Sequence, residues 1–476
     1  RPHPRYGTGK DKQGWGPDKF GTWVDVRDTD NLRAMRETSV YLMAEEAGNE
    51  GTRLRYKARI AHFVRSLYHV GMREWDSENY MSHVMAPYLN LYDFAQDEEV
   101  TLLARAALDF LCTAAALKYR RGGFGGPNKR DYGGANKPFG AAASHMINLY
   151  FNDTPQEDPS PHYDELYALT SAYRPPLAVV NIARKDFASP VELLNSKPPY
   201  RTWLGGDDIR QPQTRETLFY GRTYTLGTCV SPTDQSPWKV SCFKLLADNS
   251  RRGVDFVVPY TGSEPNVKNP GDQVGQYKDI AIYMRRADGT PFNIFAPEHA
   301  DMEKRGERWF FKLEKTWLAV RPVNLESYNV RRPEREDYYG DAVVYHCPQA
   351  DEKNASCAGF ILEVGERPEC SYRDFRNRVE QRSTADLTRL DEGMVTYTGR
   401  AEQRLALQYN EETDLPAIWR DGTRHRWRDH RAIYRPADGA GPVALGWKDG
   451  TLELAAGAHS FTQTASASGS VSSEEH

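Results

Sequence analysis

The sequence predicts an α+β protein in which a block of helices precedes a block of antiparallel strands. From about Asp30 to Lys185 apolar residues recur at the helical period, and after about Pro198 the period becomes two. Asp288-Gly289, Asp421-Gly422 and Asp449-Gly450 then mark hairpin turns in the second block. Residues 1–30, polar and rich in Gly and Pro, read as an extended arm. Residues 31–200 read as the helical domain, 201–464 as an antiparallel β-sandwich domain, and the Ser-rich stretch 465–476 as a disordered tail.

The clearest helix runs from Asp97 to Tyr119. Val100, Leu103, Ala104, Ala107, Leu108, Leu111 and Ala115 form one apolar stripe. Asp97-Glu98-Glu99 puts negative charge at its start, Lys118 and Arg120-Arg121 put positive charge at its end, and Gly122 stops it. Further helices are expected near 31–47, 52–71, 77–95, 139–151 and 162–183, joined as antiparallel hairpins. Strands are expected over Leu218–Val230, Trp238–Leu246, Val254–Tyr260, Ile280–Arg285, Trp309–Val323, Ala342–His346, Ala358–Val364, Met394–Thr398 and Arg404–Tyr409. Tyr372 to about Arg382 reads as a helical interruption.

Composition narrows the function. Lys and Arg number 62 against 66 Asp and Glu, a net charge of −4, which argues against a dedicated nucleic-acid binder. No run of 18 or more apolar residues occurs, so no membrane span is expected. The chain starts at Arg1, as it would after removal of a signal peptide, and a secreted or periplasmic location is expected. Cys229 with Cys242, and Cys347 with Cys357, are candidate disulfides in such a compartment. Asn152-Asp-Thr and Asn354-Ala-Ser match the glycosylation pattern. His346-Cys347 lacks partners at metal spacing, and neither metal nor cofactor is expected. Arg424-His-Arg-Trp-Arg-Asp-His-Arg431 reads as a solvated, charged edge strand.

The chemistry-bearing stretch is Trp75 to Tyr132. Asp76 or Ser77 would cap a helix in which Asn79 and His83, four residues apart, share a face. Ala86 and Asn90 continue that stripe, which is small or polar where solvent-facing helices carry Lys and Glu. The loop Gly122-Gly-Phe-Gly-Gly-Pro-Asn-Lys-Arg-Asp-Tyr132 follows, with glycines that allow close backbone approach. It supplies Arg130 and Tyr132, and a neighbouring guanidinium favours ionisation of a phenol. Asn79 and His83 would equally satisfy buried backbone groups, and Tyr132 would equally plug a helix-hairpin turn. His145 lies in a small-residue helix, and Tyr220, Arg222 and Tyr224 alternate onto one face of the first strand after the junction.

These stretches resemble polysaccharide lyases of the heparinase II/III and alginate lyase type. The likeness rests on Trp75–Asp93, with Asn79-Tyr80 and Leu91-Tyr92-Asp93-Phe94, on Gly122–Tyr132, on Tyr220–Gly227 and on Gly359-Phe-Ile-Leu-Glu363. The resemblance implies an α/α toroid-like helical domain joined to a large antiparallel β-sandwich. It implies β-elimination on an acidic, uronate-containing polysaccharide, with Asn79 neutralising the uronate carboxylate. Tyr132, with Arg130 nearby, would move the proton, and His83 is a second candidate base. Trp75, Tyr80, His145, Tyr220, Arg222 and Tyr224 become candidate substrate contacts, and Tyr220, Tyr224 and His299 are options for a catalytic group from the β domain. Two other classes compete. A glycoside hydrolase on a similar scaffold would draw its two carboxylates from Asp76, Glu78, Asp93 and Asp131. A non-catalytic glycan-binding protein would use the same aromatic surface without cleaving anything.

Overall fold

The computed structural model describes residues 29–130, 142–154, 164–199, 212–231, 240–263, 269–333, 342–350, 355–413, 415–466 and 468–476. Most of the arm, Asp131, Tyr132 and Asn354 lie outside them. The helices are α1 (Asp30–Glu46), α2 (Glu50–Val70), α3 (Met81–Phe94), α4 (Glu98–Lys118), α5 (Ala142–Phe151), α6 (Glu165–Thr170), α7 (Leu177–Ala183) and α8 (Tyr372–Arg382). α1 and α4 each pack against both α2 and α3. The Asp97 side chain caps α4 by accepting the Glu99 N–H at 3.1 Å. The one helix expected over 162–183 is two, because Pro175-Pro176 interrupts it before α7. α4 is long and apolar enough by composition to cross a membrane, but it is mostly buried as the central helix of the core.

Two antiparallel sheets face each other after the helices. The eight-stranded sheet runs in the order Asn329–Arg331, Ala342–Cys347, Phe292–Pro297, Gly253–Thr261, Phe243–Asn249, Tyr224–Val230, Thr214–Tyr220, Val191–Lys197. The six-stranded sheet runs Gln273–Tyr277, Ile280–Arg286, Cys357–Glu366, Thr316–Val323, Arg308–Lys312, Asp301–Arg305. Leu226, Leu245, Val257 and Ile294 from the first meet Tyr283, Phe311, Leu318 and Phe360 from the second in one apolar layer. A five-stranded sheet from Thr384 to Arg424 covers the outer face of the six-stranded one through Val395, Leu405, Leu407 and Ile418.

Several expectations change here. The strands begin before residue 200, with Val191–Lys197 pairing along Thr214–Tyr220. Leu218–Val230 is a hairpin rather than one strand, turning at 221–223. The tail is ordered where described: Val471–Glu475 pairs with His459–Ala465 as the edge of a last five-stranded sheet. That sheet returns to the helices. Ile433, Tyr434, Leu445, Leu452, Leu454 and Phe461 lie in the same core as α2, α3 and α4. Asp109 of α4 anchors it, accepting from Tyr173 Oη at 2.8 Å and from Gln463 Nε2 at 2.9 Å. The helical core is therefore completed by the end of the chain, which no division into successive blocks anticipates. All six cysteines are free thiols, so neither expected disulfide forms. The charged segment 424–431 is in part the solvated edge expected, since Thr423–Arg424 is the edge strand of its sheet and Arg424, Arg426, Arg428 and Arg431 are exposed, but its histidines turn inward. His430 is fully buried, with its Nε2 2.8 Å from that of His425, and both rings pack on Trp427.

A charge cluster joins the helices to the eight-stranded sheet. Lys118, at the end of α4, contacts Glu216 and lies 3.4 Å from Asp76, while Lys197 lies 2.7 Å from Asp76 and 3.9 Å from Glu216. All four are buried. Burial opposes a charge on Lys197, but Asp76 and Glu216 hold its pKa above the ordinary lysine value. Removing one partner of such a group leaves an uncompensated buried charge, a loss of about 3–5 kcal/mol. Glu216→Gln is therefore expected to lower unfolding free energy by that order without changing the denaturant slope; a change within experimental error would remove the cluster from any structural role.

Candidate functional site

Between α2 and α3 the chain turns twice instead of continuing as helix. Asp76 adopts a left-handed conformation with φ 52°, which ends any helix started earlier. Ser77 N–H donates to the Glu74 carbonyl at 3.1 Å, and the Ser77 hydroxyl accepts from Tyr80 N–H at 3.1 Å. α3 consequently starts at Met81, without a side-chain cap. Asn79 thus stands in the turn before the helix, and the expected helical face shared by Asn79 and His83 does not exist.

The glycine loop lies against the sheet. A Cβ on Gly123 would come within 2.2 Å of Val254 Cγ2, and one on Gly125 within 2.2 Å of Leu246 Cδ1. The glycines serve this close approach, and the loop is then pinned from both sides. Asn128–Lys129 pairs with Val240–Ser241, and Lys129 N–H donates to the Trp75 carbonyl at 3.0 Å. The loop leaves that strand at Arg130, itself left-handed at φ 60°. Two non-glycine residues held at positive φ in adjoining segments cost about 1–3 kcal/mol each.

The result is a half-exposed polar rim above a sealed floor. Trp75, Asp76, Ser77, Glu78, Asn128 and Lys129 are buried, whereas Asn79, Tyr80, His83 and Arg130 are half-buried. Asn79 Nδ2 and the Ser77 hydroxyl both point to the Arg130 carbonyl at 3.5 Å. The Arg130 guanidinium lies 4.6 Å from the centre of the Tyr80 ring. The Tyr80 ring packs edge-on against His83 at 5.6 Å. His83 Nε2 is 3.3 Å from Asp164 Oδ2, which also accepts from the Ser82 hydroxyl at 2.7 Å. His145 Nδ1 is 3.1 Å from Glu165 Oε1. Consecutive acids at the start of α6 therefore each hold one of the two candidate histidines. Asn128 is fully buried with both amide atoms lacking a partner, beside the equally unpartnered Ser241 hydroxyl.

The other expected residues lie elsewhere. Trp75 is 2% exposed within the inter-sheet core and cannot stack on a sugar. Tyr220 is fully buried, its hydroxyl donating to the Leu117 carbonyl at 2.9 Å, and Tyr224 is buried in the inter-sheet core. Burial raises both phenols well above the ordinary value. The two tyrosines flank a hairpin turn, so the shared strand face with the exposed Arg222 is lost. His299 sits at a separate hollow beside Asp255. Sequence reasoning missed Ser77, Asp164 and Glu74. Asp164 opens an expected helix, but nothing local names the histidine it meets.

Glu74 lies behind Arg130, its Oε1 3.5 Å from the guanidinium and its Oε2 accepting the Asn31 N–H at 3.1 Å. Burial, reinforced by the nearby Asp30 carboxylate, outweighs Arg130 and pushes the Glu74 carboxyl up to about 8. At neutral pH the contact is accordingly closer to a neutral acid beside a cation than to an ion pair.

An α+β protein with leading helices and extensive antiparallel sheets is the class that this architecture defines. No protein-family model and no curated protein matches the chain. Two solved structures are distantly similar to it. One is the heparan sulfate lyase HepC from Pedobacter heparinus, at 10% identity and TM-score 0.34, over 83% of this chain and 66% of that one. The other is a heparinase III gene product with methylated lysines, at 11% identity and TM-score 0.30, over 80% of this chain and 64% of that one. The chain spans just under two thirds of the length of each.

The Glu74 carboxyl gives a pH signature. Its folded value of about 8 exceeds the ordinary 4.5, so the folded state holds a proton that the unfolded chain releases between those values. Stability is expected to fall as pH rises from about 4.5 to about 8, and Glu74→Gln should flatten that slope in urea titrations. An unchanged slope would show that the carboxyl is ionised in the fold.

Proposed function

We propose that the protein is a lyase cleaving an acidic, uronate-containing polysaccharide by β-elimination at the rim formed by Asn79, Tyr80, His83 and Arg130. The observation that carries this reading is the grouping of a carboxamide, a guanidinium and a carboxylate-held imidazole, all half-exposed, over a buried floor. A uronate has a weakly acidic proton at C5, next to its carboxylate. Donors aimed at that carboxylate stabilise the enolate-like charge that develops as the proton leaves. Among the described residues the Asn79 amide is spent on one 3.5 Å contact, at the outer limit of a hydrogen bond, so its donor is cheaply redirected. Arg130 supplies fixed positive charge, oriented by the Tyr80 ring and Glu74.

A base takes the C5 proton, the C4–oxygen bond breaks, and an acid protonates the departing oxygen, leaving a double bond between C4 and C5. His83 is the candidate base, with Asp164 orienting its ring. Tyr132 is the candidate acid. It lies outside the described residues, and its assignment rests on its place in the sequence, two peptide units or at most about 7 Å of chain beyond Arg130. The hydrolase reading loses two of its four carboxylates, while Asp93 is half-buried and accepts the Ala172 N–H at 3.0 Å, and Asp131 lies outside the described residues. Asp76 is buried against Lys118 and Lys197, and Glu78 lies buried 2.5 Å from Lys244 Nζ. Neither reaches a rim where a glycosidic bond would lie.

Incubation with a panel of uronate polymers is expected to generate ultraviolet absorbance from the conjugated product ends; new reducing ends without that absorbance would replace elimination by hydrolysis. Asn79→Ala should lower kcat by about 10²–10³ while changing KM little, as loss of a transition-state donor does. A rise in KM alone would reduce Asn79 to a binding residue. Tyr132→Phe should keep the thermal midpoint and abolish turnover, and normal turnover would exclude its phenol from the reaction.

A further inference from the structure

A hollow of about 670 Å³, lined by none of the rim residues, opens among Asn249, Arg251, Arg252, His299, Asp301, Lys312 and Glu314. Its construction is deliberate at three points. The Asn249 side-chain oxygen accepts the N–H groups of Arg251 and Arg252, both at 3.0 Å, which fixes the tight turn that presents the two guanidinium groups. Asn249 Nδ2 donates at 2.9 Å to Asp255 Oδ2, a carboxylate only 1% exposed. The same oxygen lies 3.1 Å from His299 Nε2, so a buried acid holds an exposed imidazole in place.

Charge follows the same plan. Two carboxylates share the hollow with these cations: Asp301 stands exposed opposite Lys312 on the neighbouring strand, and Glu314 has its Oε2 taken by the Ser250 N–H at 2.7 Å and the Ser250 hydroxyl at 2.9 Å. Arg251 and Lys312 form no ion pair with any described carboxylate. Planar guanidinium groups with an ammonium and an imidazole are the donors that recognise oxyanions.

We propose that this hollow is a second anion-binding site, which takes a sulfo or carboxylate group of an acidic sugar through Arg251, Arg252, His299 and Lys312. It binds and does not cleave. Only the ligand class, an acidic sugar, rests on the lyase reading; the anion chemistry does not.

Calorimetry with two probes tests it: a sulfated uronate oligosaccharide and its unsulfated counterpart, each with wild type, with Arg251→Ala/Arg252→Ala and with Lys312→Ala. All three side chains are exposed or half-exposed, so these variants are expected to keep the wild-type thermal midpoint. The double variant should lose about tenfold or more in affinity, and its dependence on salt should be shallower. Loss for the sulfated probe alone assigns the site to sulfo groups, and loss that includes the unsulfated probe shows that a carboxylate suffices. Wild type that binds neither probe, or variants that bind both as wild type does, would overturn the proposal. Ultraviolet assays on the same proteins keep the two ideas apart: no elimination by wild type retires the lyase reading, while calorimetry alone decides the anion site.

Discussion

Four buried charges, Lys118, Lys197, Asp76 and Glu216, sit where the helices meet the long sheet, and the geometry of the rim depends on them. Their worth is positional. Taking ions from water costs several kcal/mol each, and a well-packed apolar substitute is often as stable. What ionic contacts add is direction: Asp76 must stand between two ammonium groups, one from the end of α4 and one from the first strand of the sheet. With Asp76 so held, the chain from Trp75 to Tyr80 has one course. Lys118 also donates to the Pro127 carbonyl at 2.9 Å, which ties the glycine loop to the same cluster. One charge group thereby sets both segments that carry the candidate site.

The strain at the rim makes sense in that light. Asp76 and Arg130 both occupy the left-handed region without being glycine. A local sequence would relax such residues, but here Asp76 is gripped through its side chain and Arg130 follows a strand pinned to Trp75 and to Val240–Ser241. Conformations of this kind persist only where surrounding contacts over-determine them, and they concentrate at functional sites. The unpartnered amide of Asn128, one residue before Lys129, belongs to the same pattern of local stability forgone.

The last sheet bears on the helical half. Helices whose apolar stripes face one another still leave a flank, and Leu452, Leu454 and Phe461 fill it. Gln463 then meets Asp109 and Tyr68, so a polar contact inside the apolar interface sets the register of the sheet on α2 and α4. Burial pushes the Asp109 carboxyl up to about 6, and its three described donors and neighbours keep that cost bounded. Ends of the chain that a sequence reading separates by hundreds of residues are thus parts of one core.

The sequence by itself determined what local periodicity and punctuation determine. The stripe from Val100 to Ala115, the acids at the start of α4 and Gly122 after it define that helix without help from the rest of the chain, and two-residue alternation with Asp-Gly turns marks the strands. It also drew attention to Asn79 and His83, where polar groups replace the expected Lys and Glu, and to Arg130 through its glycine loop, although the helical face it gave Asn79 does not form. Tertiary structure decided the rest. Asp76 caps no helix because two distant lysines hold it, and the helix starts at Met81; Trp75, Tyr220 and Tyr224 went to interiors because sheet packing, not ring type, sets exposure; and residues 471–475 became a strand because a partner strand was waiting. Asp164 found His83 across 81 positions by the packing of α6 on α3, a contact with no local trace. Periodicity is a property of neighbours in the chain, whereas ion pairs, burial and sheet edges are properties of neighbours in space.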